Sequence, residues 1–190
     1  MRIFLLFILL SSTAFAQKKQ IITDKIQAKS AYELLNDIRL HPEKYRKVLG
    51  ISNVELITKT KLVWNDQLAK VAESRAYDMA NRNYFDHTNP DGFGPNYFIQ
   101  RAGYQLNADW LKTKSANNFE SIGANHPTAE DGIKALIIGK GSPGFMHRKH
   151  LLGMDTWNGS LQDIGIGFVQ VPKGTAYKTY LCVIIAKHDW

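Results

Sequence analysis

The feature that most limits how this chain can fold is its cysteine content, because its 190 residues include a single cysteine, Cys182. One thiol excludes a disulfide framework, a cysteine-rich zinc ribbon and an iron–sulfur cluster held by this chain alone. Cys182 lies in residues 180–186, the most apolar stretch after the N-terminus, so we interpret it as a buried core thiol. A catalytic or metal-bound thiolate would need exposure and a basic neighbour, and the local sequence offers none. The fold must therefore be held by an apolar core, which 44% hydrophobic residues can form.

The N-terminus has the pattern of an export signal. Arg2 is followed by an unbroken apolar run over residues 3–10 and by Ala14-Phe15-Ala16, an A-x-A cleavage pattern. The run is far shorter than the ~20 residues that a membrane-spanning helix needs. We predict a signal peptide over residues 1–16 that is cleaved after Ala16, with an uncleaved N-terminal anchor as the alternative. The predicted location is therefore outside the cytoplasm, either secreted or periplasmic.

The remainder of the chain has the length of one domain. We predict a polar lead-in over residues 17–29 and a single domain over residues 30–190. The chain has 24 Lys and Arg against 17 Asp and Glu, a net charge of +7, but its lysines are scattered and no aromatic-interleaved basic run occurs. Together with predicted export, this pattern argues against nucleic acid as a partner. We expect a monomer with no transmembrane segment in the mature chain.

The order of the predicted elements indicates the fold class. Capping patterns and a first-turn proline predict four helix starts, at Ser30, Pro42, Asn65 and Thr128. Residues 86–97 are dense in turn formers and predict an ordered loop, and a further helical turn is predicted over 146–152. Strands are predicted at 119–124, 164–168 and 180–186. Because helices come first and the clearer strands last, the sequence predicts an α+β fold.

Two histidines and one glutamate form the candidate functional site. His87 lies where the helix that starts at Asn65 gives way to the turn-rich loop, and His147 follows a break at residues 142–144. Glu120 lies in an apolar segment that should be buried, where an unpaired carboxylate costs several kcal/mol. These three side chains could hold zinc with one open coordination position. The alternative is three unrelated polar residues satisfied by the backbone, and the spacing alone favours that alternative.

The sequence offers a second candidate pair of metal-binding histidines, and it lacks the motifs of several enzyme classes. His147 and His150 are three residues apart and could grip a metal from one helix face. No acid accompanies them, so we predict a solvated basic patch that includes Arg148 and Lys149. The sequence contains no H-E-x-x-H pattern, no Gly-rich phosphate-binding loop, and a lysine, Lys140, where a nucleophile elbow would need glycine.

Four segments also carry a family pattern. They are residues 62–69 (LVWNDQLA), 84–92 (YFDHTNPDG), 119–125 (FESIGAN) and 142–152 (SPGFMHRKHLL). In this order and spacing they resemble the CAP superfamily of cysteine-rich secretory, antigen 5 and pathogenesis-related proteins, whose domain is also called the SCP domain. The lack of disulfides resembles the exported bacterial branch. The resemblance implies an α–β–α sandwich, in which helices flank a central antiparallel sheet, with a large cleft.

The resemblance also implies which residues lie in the cleft. The family's cleft carries two histidines and two acids that can hold a divalent metal such as zinc, and three of these positions fall on His87, Glu120 and His147. Relative to the family pattern, Phe145 and Met146 are inserted before the second histidine. The fourth position has no acid here, because the preceding helix ends in residues 136–140 (LIIGK). We therefore predict only a weak metal site.

Two functions are consistent with these residues. The first is a non-enzymatic binding module whose cleft takes a small hydrophobic, lipid-like ligand or the surface of an envelope or extracellular protein. The second is a metal-assisted hydrolase of peptide or ester bonds in the cell envelope, with a metal on His87 and His147 activating water and Glu120 as base or ligand. The missing fourth acid and the absent nucleophile favour the binding module over an enzyme.

Overall fold

A five-stranded sheet between helices organises the computed structural model, which describes residues 20–171 and 175–188. The predicted signal peptide, residues 1–16, lies outside these ranges. The strands are β1 (Ile22–Thr23), β2 (Val63–Trp64), β3 (Glu120–Ala124), β4 (Asp163–Gln170) and β5 (Thr179–Ala186). The helices are α1 (Lys25–Leu40), α2 (Pro42–Tyr45), α3 (Asp66–Arg82), α4 (Pro95–Arg101), α5 (Ala129–Ile138), α6 (Met146–Leu152) and α7 (Thr156–Gly159).

The sheet leaves β3 at one edge. The strand order is β1-β4-β5-β3, and β2 also pairs with β4. The β4–β5 and β3–β5 pairs are antiparallel, whereas the short β2 pairs in parallel with β4. Cys182 of β5 lies opposite both Ile122 of β3 and Gly167 of β4, so these three positions share one face of the sheet with Glu120. The next residue of β3, Ser121, therefore points to the other face.

Two glycines allow α3 to pack closely on the first of these faces. A Cβ at Gly165 would lie 2.1 Å from the backbone nitrogen of Ala69, and a Cβ at Gly167 would lie 2.3 Å from that of Glu73. Helix α5 covers the opposite face, where Leu181 of β5 packs against Gly132. Helices α1 and α6 pack beside α5. The protein is thus an α–β–α sandwich of the predicted α+β class.

Three predicted helix starts are confirmed with their capping contacts. Asn65 accepts hydrogen bonds from the backbone N–H groups of residues 67 and 68 at the start of α3. Thr128 caps α5 through the N–H of Asp131, and Pro42 occupies the first turn of α2. The Asn65 and Thr128 side chains satisfy backbone N–H groups that have no partner within the helix. Proline is favoured in the first turn because its missing N–H would have no partner there. The predicted strands at 119–124, 164–168 and 180–186 are also confirmed, as β3, β4 and β5.

The first helix begins earlier than the sequence pattern predicts. Asp24 caps it by accepting a hydrogen bond from the N–H of Gln27, so α1 starts at Lys25 and not after Ser30. The Ser30 hydroxyl instead donates to Glu130 of α5. Residues 22–29, predicted as a polar lead-in, form β1 and the first turns of α1. The strands β1 and β2 are two residues long and carry no alternating pattern that could have predicted them.

Cys182 lies in the core, as predicted. Its side chain is fully buried in β5 and its thiol donates to Glu120 Oε2 at 3.3 Å. Burial raises the pKa of the thiol well above its ordinary value. Within the described ranges, no helix has the length and apolar character needed to cross a bilayer.

Candidate functional site

Glu120 is fully buried at the start of the edge strand β3, and its charge is matched by Arg75 of α3. Arg75 Nε donates to Glu120 Oε2 at 2.9 Å and Arg75 Nη2 to Oε1 at 3.3 Å. Burial by itself would raise the pKa of the Glu120 carboxyl, but the hydrogen bond from His87 and the charge of Arg75 outweigh it and lower the pKa. Glu120 is therefore ionised at neutral pH. The sequence predicted that this carboxylate needs a partner, but it did not identify Arg75.

Arg75 also holds the loop that carries His87. The same Nη2 donates to the backbone carbonyl of His87 at 2.7 Å and to that of Asp86 at 3.2 Å, while Nη1 donates to the Tyr84 hydroxyl at 3.0 Å. Arg75 is only 2% exposed, so these bonds form away from solvent. Charge-assisted hydrogen bonds of this kind are stronger than neutral ones. A single guanidinium thus connects helix α3, strand β3 and the loop after α3.

His87 makes its own hydrogen bond to the carboxylate. Its Nδ1 lies 2.9 Å from Glu120 Oε1, which makes Nδ1 the protonated nitrogen because an ionised carboxylate can only accept. In the part of the chain that the structure describes, Nε2 has no hydrogen-bond partner. The side chain is 36% exposed. His87 therefore leaves its Nε2 available to a ligand, with the ring oriented by Glu120.

Helix α6, on the face of the sheet opposite α3, carries His147 and His150. His150 is buried and its Nδ1 lies 2.8 Å from the Ser121 hydroxyl of β3. Burial lowers the pKa of His150 to about 4, so this imidazole is neutral at pH 7. His147 is half-buried, and burial together with the charge of nearby His87 lowers its pKa. Two consecutive residues of β3, Glu120 and Ser121, thus each bond a histidine from opposite sides of the sheet.

The predicted solvated basic patch on α6 is wrong. Arg148 is buried and donates to the backbone carbonyls of Ile137 at 2.6 Å and Ile138 at 3.0 Å, where α5 ends. His150 is buried against β3. The prediction failed because α6 is wedged between α5 and β3, so only part of the short helix faces solvent. Helix C-termini carry a partial negative charge, which suits a guanidinium at this position.

His87, Glu120 and His147 line one cavity of about 330 Å³ at the open edge of β3. The remaining lining residues are three amides, a serine, a third histidine, a methionine and a tryptophan: Asn117, Asn118, Ser121, Met146, His150, Trp157 and Asn158. Among these lining residues Glu120 is the only carboxylate. The cavity therefore offers hydrogen-bonding groups and three imidazoles, and the charge of its one carboxylate is already compensated from inside the protein.

Metal binding by the three candidate residues stays a prediction. Over residues 20–171 and 175–188, no cluster of three or more His, Cys, Asp or Glu side chains has an arrangement that could hold a metal ion. The reason at this site is visible in Glu120, because Arg75 and His87 engage both of its oxygens. Glu120 orients His87 in the way that outer carboxylates orient metal-binding histidines. A metal at this site would therefore have to be bound through histidine nitrogens.

A second, more apolar cavity of about 490 Å³ adjoins the first. His147 lines both cavities and so forms the wall between them. Hydrophobic walls come from Phe85, Ile122, Leu136 and Ile138, and a glycine-containing loop over residues 139–142 closes one side. A polar and an apolar cavity therefore meet at one histidine.

A family model described as "CAP: Cysteine-rich secretory protein family" matches residues 32–185, most of the chain. The chain belongs to the CAP family. This result agrees with the resemblance of the four sequence segments. It also agrees with the α–β–α sandwich, in which His87 and His147 line one cavity at the edge of the sheet.

This CAP domain is similar to three bacterial proteins, two of which are described as extracellular or outer-surface proteins. It is 28% identical over 159 residues to YkwD, an uncharacterized protein of Bacillus subtilis (strain 168), across 83% of this chain and 50% of YkwD. The chain thus spans about half the length of the curated relative it matches. An extracellular protein containing a SCP domain from Bacillus anthracis str. Ames superimposes with a TM-score of 0.53 at 22% identity, over 86% of this chain and 41% of that one. An outer surface protein from Borrelia burgdorferi gives a TM-score of 0.55 at 18% identity, over 90% of this chain and 99% of that one.

The site of this CAP domain contains residues that sequence reasoning missed. Arg75 lies on the buried face of α3 with Leu68, Ala72 and Met79, at helical spacing. A charged residue on an otherwise apolar helix face is a signal that could have identified it. Ser121 carried no comparable signal, because its contact with His150 joins residues 29 positions apart.

Proposed function

We propose that this protein is an exported, non-enzymatic CAP-domain binding module whose cleft takes a small amphipathic, lipid-like ligand. The polar end of the ligand would lie in the cavity beside His87 and His147, and its apolar end in the adjoining groove. The observation that carries the proposal is that His147 lines both cavities. Export is supported by the signal-peptide pattern over residues 1–16 and by neighbours described as extracellular or outer-surface proteins.

The polar cavity has the groups that a ligand head group needs. His87 Nε2, the Asn118 side-chain N–H₂ and the Asn158 side-chain oxygen have no partners among the described residues, and all three residues line the cavity. Asn118 uses its oxygen to accept from Asn96, and Asn158 uses its N–H₂ to donate to Asp155. These groups face the cavity with hydrogen-bonding capacity that the protein does not use, so a ligand that bonds them is oriented by them.

The compensated charge of Glu120 supports binding over catalysis. A general base or a water-activating carboxylate needs a free oxygen near the reacting atoms. Both oxygens of Glu120 are engaged by Arg75 and His87, and Cys182 also donates to Oε2. The hydrolase alternative would have to depend on the histidines and a metal without this carboxylate, so it has less support.

A weak divalent-metal site remains part of the proposal, with a changed assignment of residues. His87 Nε2 and His147 would hold the ion, and Glu120 would orient His87 without binding the metal. Two protein ligands are fewer than the three or four that zinc sites in proteins use. A bound ion would supply a positive charge to an anionic head group in the cavity.

Fluorescence titration with a dansylated undecanoic acid tests the proposed ligand class. Dansylglycine, which has the same fluorophore and a carboxylate but no alkyl chain, is the control ligand. We expect the long-chain probe to bind at least tenfold more tightly, since burying several CH₂ groups contributes about 0.8 kcal/mol each. His87→Gln should weaken binding of the head group, and Phe85→Ser should weaken binding of the chain.

A matched variant keeps this test specific. Tyr77 is another exposed aromatic residue, 45% exposed against 37% for Phe85, and it does not line either cavity. Tyr77→Ser should leave the affinity unchanged. Equal affinity for both probes, or an unchanged affinity in the His87 and Phe85 variants, would rule out an amphipathic ligand in this cleft.

A further inference from the structure

A third cavity lies between the segment that follows α2, the end of α5 and the start of α6, and it shares Ile138 with the apolar cavity. It measures about 500 Å³, and its walls include Lys47, Val48, Ile138, Phe145 and Arg148. No acidic side chain is among its lining residues, all of which the structure describes. None of the three cleft residues His87, Glu120 and His147 lines it. The surface therefore combines two cations with apolar side chains and no counter-charge.

Arg148 supplies a cation whose charge no carboxylate balances. The side chain is 8% exposed, and its Nε and Nη2 donate to the carbonyls that end α5. Nη1 has no hydrogen-bond partner within residues 20–171 and 175–188, and no ion pair forms there with this guanidinium. Burial lowers the pKa of Arg148. An anion in the cavity would supply the counter-charge, and Lys47 adds a second positive charge beside it.

The apolar part of the surface is exposed but fixed in position. Val48 is 70%, Ile138 43% and Phe145 49% exposed. Phe145 adopts a left-handed backbone conformation with φ of 55°, which is rare for an aromatic residue. Its ring lies 4.5 Å from the Arg148 guanidinium and over Gly139, where a Cβ would come within 2.9 Å of the ring. The inserted Phe145 is thus held open to solvent by specific packing.

We propose that this surface binds an anionic phospholipid at a membrane surface. The phosphate would lie beside Arg148 and Lys47, and the first acyl carbons would contact Phe145, Ile138 and Val48. Three exposed apolar side chains and two cations in one open depression match the chemistry of that boundary, where apolar contact and attraction to anionic lipids act together. A soluble anion would leave the apolar residues exposed, and an acidic peptide would find few groups here to bond its backbone. Neither Lys47 nor Phe145 lines the polar or the apolar cavity, so changing these two residues tests this surface separately from the cleft.

Vesicle sedimentation of the purified protein tests the proposal. Phosphatidylcholine vesicles should bind weakly, and vesicles with a third of the lipid as phosphatidylglycerol should bind more strongly, with an affinity that falls as salt rises. The test variant is Lys47→Glu/Phe145→Asn, in which asparagine tolerates the left-handed backbone of position 145. The control is Lys61→Glu/Val63→Asn, which makes the same change of charge and removes another exposed apolar residue, 59% exposed, outside this cavity. We expect about a tenfold or greater loss of affinity in the test variant only.

Each other outcome overturns the proposal. All variants have the same N-terminus, so any vesicle binding by the apolar residues 3–10 affects the test and control variants equally. Equal binding of test and control variants would assign vesicle contact to another surface. No preference for phosphatidylglycerol would exclude an anionic head group. If glycerol phosphate alone saturates the site, by calorimetry, and vesicles do not bind, the cavity takes a free anion and no membrane.

Discussion

Arg75 donates from Nη2 to the backbone carbonyl of His87 at 2.7 Å, and the same nitrogen reaches the Glu120 carboxylate that bonds the His87 ring. The backbone and the side chain of one histidine are thus fixed by a single guanidinium from the neighbouring helix. His87 is oriented before any ligand binds, which reduces the ordering cost of binding. This arrangement also makes stability and ligand binding depend on the same buried ion pair.

Removing the guanidinium should destabilise the fold strongly. Arg75→Met keeps most of the side-chain volume but leaves Glu120 buried without its counter-charge, so we expect a loss of about 3–5 kcal/mol in the free energy of unfolding. Chemical denaturation of the variant measures it. In the double variant Arg75→Met/Glu120→Gln much of this loss should be recovered, because no buried charge is left. A loss below about 1 kcal/mol in the single variant would mean that the ion pair is not important for stability.

The free energy of unfolding should decrease as the pH is lowered through the range in which His150 is neutral in the folded chain and protonated in the unfolded chain. Burial lowers its pKa to about 4 in the folded chain, from an ordinary value of 6.5. The unfolded chain therefore binds the proton more tightly, so this contribution is complete above about pH 6.5 and is lost as pH falls towards 4, up to about 3 kcal/mol. His150→Asn should reduce the slope of unfolding free energy against pH between these values. His41→Asn, at an exposed histidine, is the control and should keep the wild-type slope.

Zinc affinity should depend on the two cleft histidines. His87→Ala and His147→Ala each remove one of the two imidazoles that would hold the ion, so calorimetric titration should show weaker binding in both variants. His41→Ala should bind as the wild type does. If both cleft variants keep the wild-type affinity, any zinc that binds is held elsewhere on the protein.

Cys182 should resist labelling in the folded protein. The thiol is fully buried and burial raises its pKa, so little reactive thiolate forms and no reagent reaches it. A maleimide or disulfide reagent should react slowly in buffer and rapidly in urea. Comparable rates in the two conditions would contradict this placement of the thiol.

The exported protein should begin at Gln17. The Ala14-Phe15-Ala16 pattern after a short apolar run predicts cleavage at this position. Intact-mass measurement of protein recovered outside the cytoplasm gives the N-terminus directly. A retained Met1 would support the uncleaved anchor instead.

Local patterns predicted most of the fold, and contacts between distant residues account for what they missed. The caps at Asn65 and Thr128 depend on hydrogen bonds within three residues, so they can be recognised in the sequence. Helix α1 starts after Asp24, which caps it, and not after Ser30, because the Ser30 hydroxyl bonds Glu130, a residue 100 positions away. No local pattern contains that distant contact.

The candidate site shows the same division. Burial of Glu120 followed from its apolar neighbours, and its need for a partner followed from the cost of burying a charge. The partner itself, Arg75, comes from 45 residues earlier and meets Glu120 only when α3 docks on the sheet. The basic-patch prediction for α6 failed for a related reason, because a helix's solvent face depends on what packs against it.

A substitution at Gly165 or Gly167 of β4 should affect residues far from that strand. Every replacement adds at least one carbon where the backbone of α3 already occupies the space. Alanine at either position would therefore lift α3 off the sheet and carry Arg75 away from Glu120, two strands distant from the substituted residue. The positions of the cleft side chains therefore depend on two glycines, although neither glycine lines the polar or the apolar cavity.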